Sequence, residues 1–96
     1  MNDTNLETKR KKLRFRAWHR GIREADLLLG GFADQWLGRL DADALERFET
    51  LLETPDPVLF DWICGRVDVP GDARSDVLDL LLEFHKNTSR RHAPQR

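Results

Sequence analysis

Arg20, Gly21 and Glu24 form an R-G-x-x-E pattern, in which a guanidinium and a carboxylate flank a glycine. These two groups can bind a carboxylate of a partner on one side and a cation or a backbone N–H on the other. The glycine between them would let a second backbone approach closely, because it has no side chain. The alternative is an exposed i,i+4 ion pair, which stabilises a helix by only about 0.3–0.5 kcal/mol. From these residues alone, the surface pair is the commoner outcome.

Catalytic and metal-binding chemistry has little support in the sequence. His19, His85 and His92 are dispersed and lack the spacing of metal ligands, and the acidic residues are too scattered to form a carboxylate pair. Cys64 is the single cysteine, which excludes an intramolecular disulfide and fits a reducing compartment. Its position at the end of an apolar segment predicts a buried, unreactive thiol. We therefore expect no catalytic residue, no metal site and no enzymatic activity.

The charges are distributed unevenly along the 96 residues. Residues 1–24 contain eight Lys or Arg against three acids, whereas residues 25–85 contain fourteen acids against four Lys or Arg. A chain of this size forms one domain and buries only about 60% of its unfolded surface, which leaves no room for a deep cleft. The uneven charge predicts that different faces meet partners of opposite sign.

The basic run from Lys9 to Arg16 suggests a second class of function, a small all-α nucleic-acid-binding or antitoxin-like regulatory protein that uses its N-terminal helix. Against this alternative, the pI of about 6.3 is well below the basic range of such domains, and no helix-turn-helix spacing stands out. No stretch approaches the roughly 20 apolar residues that a membrane span requires, and no secretory signal is recognisable. We expect a cytoplasmic protein that does not insert into membranes.

Apolar spacing of three and four predicts helices at about residues 6–19, 23–37, 42–53, 57–64 and 73–85. Gly21 is expected to close the first helix as its C′ residue. Gly30 and Gly31, inside the second, are expected to let another helix pack closely. The predicted N-caps are, in chain order, Thr4 or Asn5, Asp41 or Asp43, Asp56 (followed by Pro57 at the first helical position), and Asp72.

The predicted fold is all-α, a compact bundle of five short helices in a single domain spanning residues 1–96. The helical bundle is expected to occupy about residues 6–85, with flexible tails at 1–5 and 86–96. Trp62 is expected to support the adjacent corner. Four aromatic side chains fall in the apolar stripes of their helices and are predicted to lie in the core: Trp36, Phe48, Phe60 and Phe84.

Two blocks of the sequence, R-G-x-x-E and then L-E-x-P-D-P-x-L-F-D-W, occur in the order and spacing of a known family. The run LRFRAWHRGIREADLLLGGFADQWL and the segment that follows it resemble the small succinate dehydrogenase assembly factors, also called flavinylation factors, over about residues 9–65. The sequence departs from the family pattern at one place, just before Gly21. Many members have a serine and three arginines there, whereas this chain has Ala17, Trp18, His19 and Arg20.

The resemblance implies a five-helix protein that binds the flavoprotein subunit of succinate dehydrogenase and, in bacteria, that of fumarate reductase. It implies that the protein promotes covalent attachment of FAD to a histidine of that subunit, so that the FAD belongs to the partner and no cofactor of its own is expected. A monomer is expected. The implied partner-binding residues are Arg20, Gly21 and Glu24, with Phe15, Arg16, Trp18 and His19 before them.

Overall fold

The computed structural model describes the backbone of residues 2–92 and the side chains of residues 5–88. It contains five α-helices, and no strand occurs in the described backbone. The helices are α1 (Asn2–Trp18), α2 (Arg23–Trp36), α3 (Ala42–Leu52), α4 (Asp56–Ile63) and α5 (Asp76–His92), with single 3-10 turns at Leu37–Arg39 and Gly71–Ala73. The prediction of an all-α bundle of five helices is confirmed.

The first and last helices extend beyond their predicted ends. α1 begins at Asn2, so Thr4 and Asn5 lie inside the helix rather than capping it. α5 continues to His92, so the predicted helical span of about 6–85 is too short at both ends. A helix gains one hydrogen bond for each residue added after nucleation, and no glycine or proline interrupts residues 76–92. The single-domain assignment and the flexibility of the tails stay predictions, and residues 1 and 93–96 lie outside the described range.

The predicted N-cap is correct for α3 and wrong for α4 and α5, as it is for α1. The Asp41 carboxylate accepts a hydrogen bond from the Ala44 backbone N–H at 2.9 Å, which confirms it as the N-cap of α3. α5 is capped by the Ser75 hydroxyl, which accepts from the Leu78 N–H at 3.0 Å, and not by Asp72. Asp56 is the first residue of α4, where its side chain is used by a different contact.

The core lies between α1, α2, α3 and α5, and the fully buried side chains in it are apolar. Phe32 of α2 is at its centre, and its ring centroid lies 5.6 Å from that of Phe48 and 5.7 Å from that of Phe84. Phe48 is fully buried as predicted, whereas Trp36, Phe60 and Phe84 are only partly buried at the edge of the core. Trp62 also packs against this edge.

Of the two glycines of α2, Gly30 allows the close approach that its position predicted, whereas a Cβ at Gly31 would make an ordinary contact with Phe84. The indole of Trp18, at the end of α1, lies directly on Gly30, where an added Cβ would be 2.1 Å from the Trp18 Cδ2 atom. The Trp18 Nε1–H donates to the Asp34 Oδ1 at 3.2 Å, which fixes the ring on the surface of α2. A side chain larger than hydrogen at Gly30 would therefore displace the indole.

The prediction of a buried thiol is wrong, because Cys64 is exposed. It is the C-cap residue of α4, a helix of eight residues in which only Leu59 is buried. The short helix leaves the core within its last turn, so an apolar neighbourhood in the sequence does not become a buried one here. In the part of the chain that the structure describes, no helix is long and apolar enough to cross a membrane.

Candidate protein-binding site

The R-G-x-x-E pattern lies at the corner between α1 and α2. α1 ends at Trp18, so Gly21 is not its C′ residue but the third residue of the connecting segment 19–22. Its φ of +110° is a conformation that favours glycine, and the space beside its Cα is open. The Arg20 backbone N–H donates to the Asp26 Oδ1 at 2.6 Å, which ties the connection to the first turn of α2. The corner is thus a defined turn with an uncovered glycine.

The guanidinium of Arg20 points into the molecule, toward the junction of α3 and α4. Its Nε and one terminal nitrogen donate to the Asp56 Oδ1 at 2.9 and 2.7 Å. The terminal nitrogens also donate to the backbone carbonyl oxygens of Leu52 and Thr54. Only 12% of the Arg20 side chain and 17% of the Asp56 side chain are exposed. Arg20 therefore connects the α1–α2 corner to the end of α3 and the start of α4.

This contact changes the interpretation of two residues. We predicted that Arg20 presents its charge to a partner, but its donors are directed to groups of its own chain. We explained Asp56 by capping alone, which is wrong, because its carboxylate is the ion-pair partner of Arg20. Sequence reasoning had one signal for this pair: Arg20 and Asp56 belong to the two blocks by which the family was recognised.

Arg20 and Glu24 do not form the i,i+4 ion pair that the sequence allowed. Glu24 lies in the first turn of α2, where its negative charge is favourable, and its side chain is exposed. Within residues 5–88, its carboxylate makes no hydrogen bond or ion pair. The carboxylate of the motif is therefore exposed, whereas the guanidinium is largely occupied by groups of its own chain.

Phe15 and His19 form an exposed aromatic pair beside the corner. Their ring centroids are 4.0 Å apart in a stacked arrangement, and the His19 Nδ1–H donates to the Phe15 carbonyl oxygen at 2.6 Å. The Phe15 side chain is 63% exposed, which is unusual for a residue of this size. The pair borders a shallow hollow of about 390 Å³ whose far side is formed by Thr54 and Pro55. Such an exposed aromatic pair is typical of an interaction surface.

The other two predicted residues are partly engaged within the molecule. An Arg16 terminal nitrogen lies 2.9 Å from a Glu53 carboxylate oxygen, and the other lies 3.8 Å from Glu49. Trp18 is half-buried on α2, so it supports the corner and is not one of its fully exposed residues. Sequence reasoning missed Ile22, whose side chain is 47% exposed next to Gly21. We define the corner surface as Phe15, His19, Gly21, Ile22 and Glu24; Arg23, between the last two, is also exposed.

Comparison with known proteins places the chain in a family. Residues 11–85 match the model of a family described as the flavinator of succinate dehydrogenase. The chain belongs to this family. The matched residues include the whole corner surface and both ends of the contact between Arg20 and Asp56. The resemblance inferred from the two sequence blocks is confirmed.

Individual relatives of the flavinator family agree with this assignment. The chain is 40% identical over 81 residues to the FAD assembly factor SdhE of Acetobacter pasteurianus, covering 84% of this chain and 74% of that protein. It is 38% identical over 84 residues to the mitochondrial succinate dehydrogenase assembly factor 2 of Dictyostelium discoideum. That of Yarrowia lipolytica is 34% identical over 88 residues. The matched regions cover 88% of this chain in both cases, but about 60% of the length of these mitochondrial relatives.

The positive charges of α1 are less available than a count suggests. Lys9 and Arg14 lie 3.3 and 3.5 Å from carboxylate oxygens of Glu49 and Asp34. The Arg10 guanidinium donates to the carbonyl oxygens of Leu37 and Leu40, at 2.8 and 2.9 Å. Several cations that would meet a phosphate backbone therefore contact groups of their own chain. Nothing in the fold or the family supports the nucleic-acid or antitoxin alternative.

The described residues also provide no centre for metal chemistry. Among them, no group of three or more His, Cys, Asp or Glu side chains is arranged to hold a metal ion. The corner surface has one carboxylate, one imidazole and two apolar side chains. This combination is suited to protein recognition.

Proposed function

We propose that this chain is an assembly factor that binds the flavoprotein subunit of succinate dehydrogenase and promotes covalent attachment of FAD to it. Family membership and the names of the relatives support this function. The observation in this chain that carries the proposal is the corner surface. It presents a carboxylate that is unpaired among residues 5–88, a stacked aromatic pair and an open glycine, on a turn fixed by partly buried hydrogen bonds.

We infer that the protein acts by binding and positioning and does not supply a catalytic group. The FAD belongs to the partner, and the covalent bond would join it to a histidine of the flavoprotein, so the reacting groups are the partner's own. Formation of that bond requires the two reacting groups to be held in the correct geometry in a site that excludes water. A small bundle that holds one arrangement of the flavoprotein would favour this geometry. No cofactor of its own is required for this role.

Each residue of the corner surface has a distinct proposed role. Glu24 receives a cation or a backbone N–H of the flavoprotein, since its carboxylate is exposed and unpaired among the described residues. Phe15 and His19 supply rigid aromatic contact area. Gly21 permits close approach of the partner backbone. Arg20 is a positioning residue, because its guanidinium is largely buried and bonds to groups that fix the turn.

Further details of the function remain proposals of the same kind. We propose that the chain also serves the flavoprotein of fumarate reductase, acts as a monomer and works in the cytoplasm. The internal pairing of the α1 cations supports a protein partner over a nucleic acid.

The direct test is the variant Glu24→Ala in a strain that lacks its own member of the family. Covalent flavin on the flavoprotein is measured by the ultraviolet fluorescence of the denatured subunit in a gel. We expect the signal to fall strongly with Glu24→Ala and to remain at the wild-type level with Glu46→Ala, a matched change at another exposed helical glutamate. Equal signals from the two variants would contradict the proposed role of the corner surface.

Gly21 provides a second test, with one complication. Any other residue must adopt the φ of +110°, which costs on the order of 1–3 kcal/mol, although the space beside Gly21 is open. A loss of flavin attachment in Gly21→Arg therefore supports the proposal only if the variant is still folded at the assay temperature. Circular dichroism of the purified variant decides this point.

A further inference from the structure

A groove of about 850 Å³ lies between α2 and α5 and shares Glu24 with the corner surface. Its walls are largely apolar. They include Leu27 and Leu28 of α2, Leu80 and Phe84 of α5, and Phe60 of α4. The Leu27 side chain is 56% exposed, and Phe60, Leu80 and Phe84 are only partly buried. A groove with such walls on a small protein is typical of an interaction site.

Two exposed carboxylates, Glu24 and Glu83, belong to the lining of the groove. Neither forms a hydrogen bond or an ion pair with another residue in the range 5–88. Together with the acidic composition of residues 25–85, they make the groove complementary to an apolar segment that carries positive charge.

The length of the groove fits a helix. Its lining extends along α2 from Glu24 to Trp36, which corresponds to about 18 Å at the 1.5 Å rise of a helix. A partner helix whose anchors are spaced i, i+4 and i+7 needs about 10 Å along its axis. Two or three turns of an amphipathic helix can therefore lie along the groove between α2 and α5.

We propose that this groove binds an amphipathic helix of the flavoprotein, one with an apolar face flanked by lysine or arginine, as a second contact beside the corner surface. The proposal rests on the proposed function for the identity of the partner. Glu24 connects the two contacts, because it belongs both to the R-G-x-x-E pattern and to the groove lining. The corner surface and the groove therefore adjoin each other at Glu24.

The first test compares dissociation constants for the purified flavoprotein subunit of succinate dehydrogenase, produced without its covalently bound flavin. Leu27→Lys places a charge on the apolar wall, and we expect it to weaken binding at least tenfold. Its control is Val67→Lys, at a side chain that is 49% exposed outside the groove and the corner surface. The control is expected to change the constant less than twofold. Leu27 and Val67 are both exposed, so the melting temperatures of the two variants should stay close to that of the wild type.

The charge of the rim is tested in the same assay. We expect Glu83→Lys to weaken binding about three- to tenfold at low salt, and the loss to shrink as salt screens the charges. Glu46→Lys makes the same charge change on α3 and is expected to have little effect. Equal effects of the two charge reversals would assign the loss to net charge and would overturn the specific role of Glu83.

The occupant is identified by cross-linking in the purified complex. In a Cys64→Ser background, Gln35→Cys at the end of the groove is labelled with a benzophenone maleimide, irradiated and analysed by mass spectrometry. We expect the cross-link in a helical, apolar segment of the flavoprotein with lysine or arginine beside it. A cross-link to a second copy of this chain, or to a flavoprotein segment without those features, would overturn the proposal.

The outcomes separate this proposal from the function on which it rests. If Phe15→Ala at the corner weakens binding while Leu27→Lys and Glu83→Lys bind as wild type, the groove proposal fails and the proposed function stands. If the wild-type protein does not bind the flavoprotein, both fail. Weaker binding by the groove variants together with the expected cross-link supports both.

Discussion

The contact between Arg20 and Asp56 predicts that the arginine of the R-G-x-x-E pattern acts through stability and shape. The variant Arg20→Ala removes the hydrogen bonds to Asp56 and to the carbonyl oxygens of Leu52 and Thr54. The variant also leaves the Asp56 carboxylate, which is only 17% exposed, without its cation. Arg20→Ala should therefore destabilise the fold while leaving the exposed residues of the corner surface in place.

The expected size of this effect is large for a domain of 96 residues. Removing one partner of a buried ion pair costs about 3–5 kcal/mol, and we expect the lower end because both side chains retain some access to water. A loss of about 3 kcal/mol corresponds to a fall in melting temperature of about 12–24 °C for a domain of this length. It is a substantial part of the roughly 5–15 kcal/mol that holds such a domain together.

The assay is urea denaturation of wild type, Arg20→Ala, Asp56→Ala and the double variant, followed by circular dichroism. Because the two side chains bond directly, the double variant should lose less unfolding free energy than the sum of the single losses, by about 1–3 kcal/mol. The unfolding free energy of Arg20→Lys should lie between those of wild type and Arg20→Ala, since lysine keeps the charge but not the forked geometry of arginine. Flavoprotein binding is then measured at a temperature where Arg20→Ala is still folded.

One pattern of results would refute this reasoning. If Arg20→Ala changed the unfolding free energy by less than about 1 kcal/mol but abolished binding of the flavoprotein, Arg20 would be a direct contact residue. The geometry leads to the opposite expectation, a clear loss of stability with binding largely retained by the folded fraction.

Three further predictions concern other contacts. Gly30→Ala should lower the unfolding free energy by about 1–2 kcal/mol, despite the better helix propensity of alanine, because the new Cβ displaces the Trp18 indole; urea denaturation measures this. The hydrogen bond from Arg47 lowers the pKa of Asp76 in the folded protein. The stability that this ion pair contributes is therefore present above the unfolded pKa of about 3.9, and it is lost as the pH falls through the lower pKa of the folded state. The unfolding free energies of wild type and Asp76→Asn should therefore differ at pH 7 and converge below about pH 4. The exposed Cys64 thiol should react with a chromogenic disulfide in the native protein at a rate close to that in urea.

Each of these predictions has an outcome that would contradict it. Gly38→Ala is the control for Gly30, since an added Cβ there meets nothing within 4 Å, and an equal effect at both glycines would exclude the clash as the cause. A stability difference for Asp76→Asn that does not change with pH would show that the ion pair with Arg47 contributes nothing. Protection of Cys64 in the native protein by several orders of magnitude would place the thiol in the core.

The helices themselves were largely predictable, because their signals are local. The apolar stripe of α2, the Asp41 cap of α3 and the close packing at Gly30 are patterns that extend over a few residues. The ends of α1 and α5 were missed because helix propagation past the apolar residues needs no distinctive residue. The exposure of Cys64 was missed because it depends on where the short α4 leaves the core.

The sequence by itself determined the helical class and the family, since the two sequence blocks and the helical periodicity each lie within short stretches of the chain. It also placed Glu24 and Phe15 in the candidate surface. Only the tertiary structure decided that Arg20 turns inward, because its partner Asp56 lies 36 positions away and is brought to it by the packing of α3 against α1. The groove has the same origin, since neither α2 nor α5 alone shows which part of its apolar face its neighbour leaves uncovered.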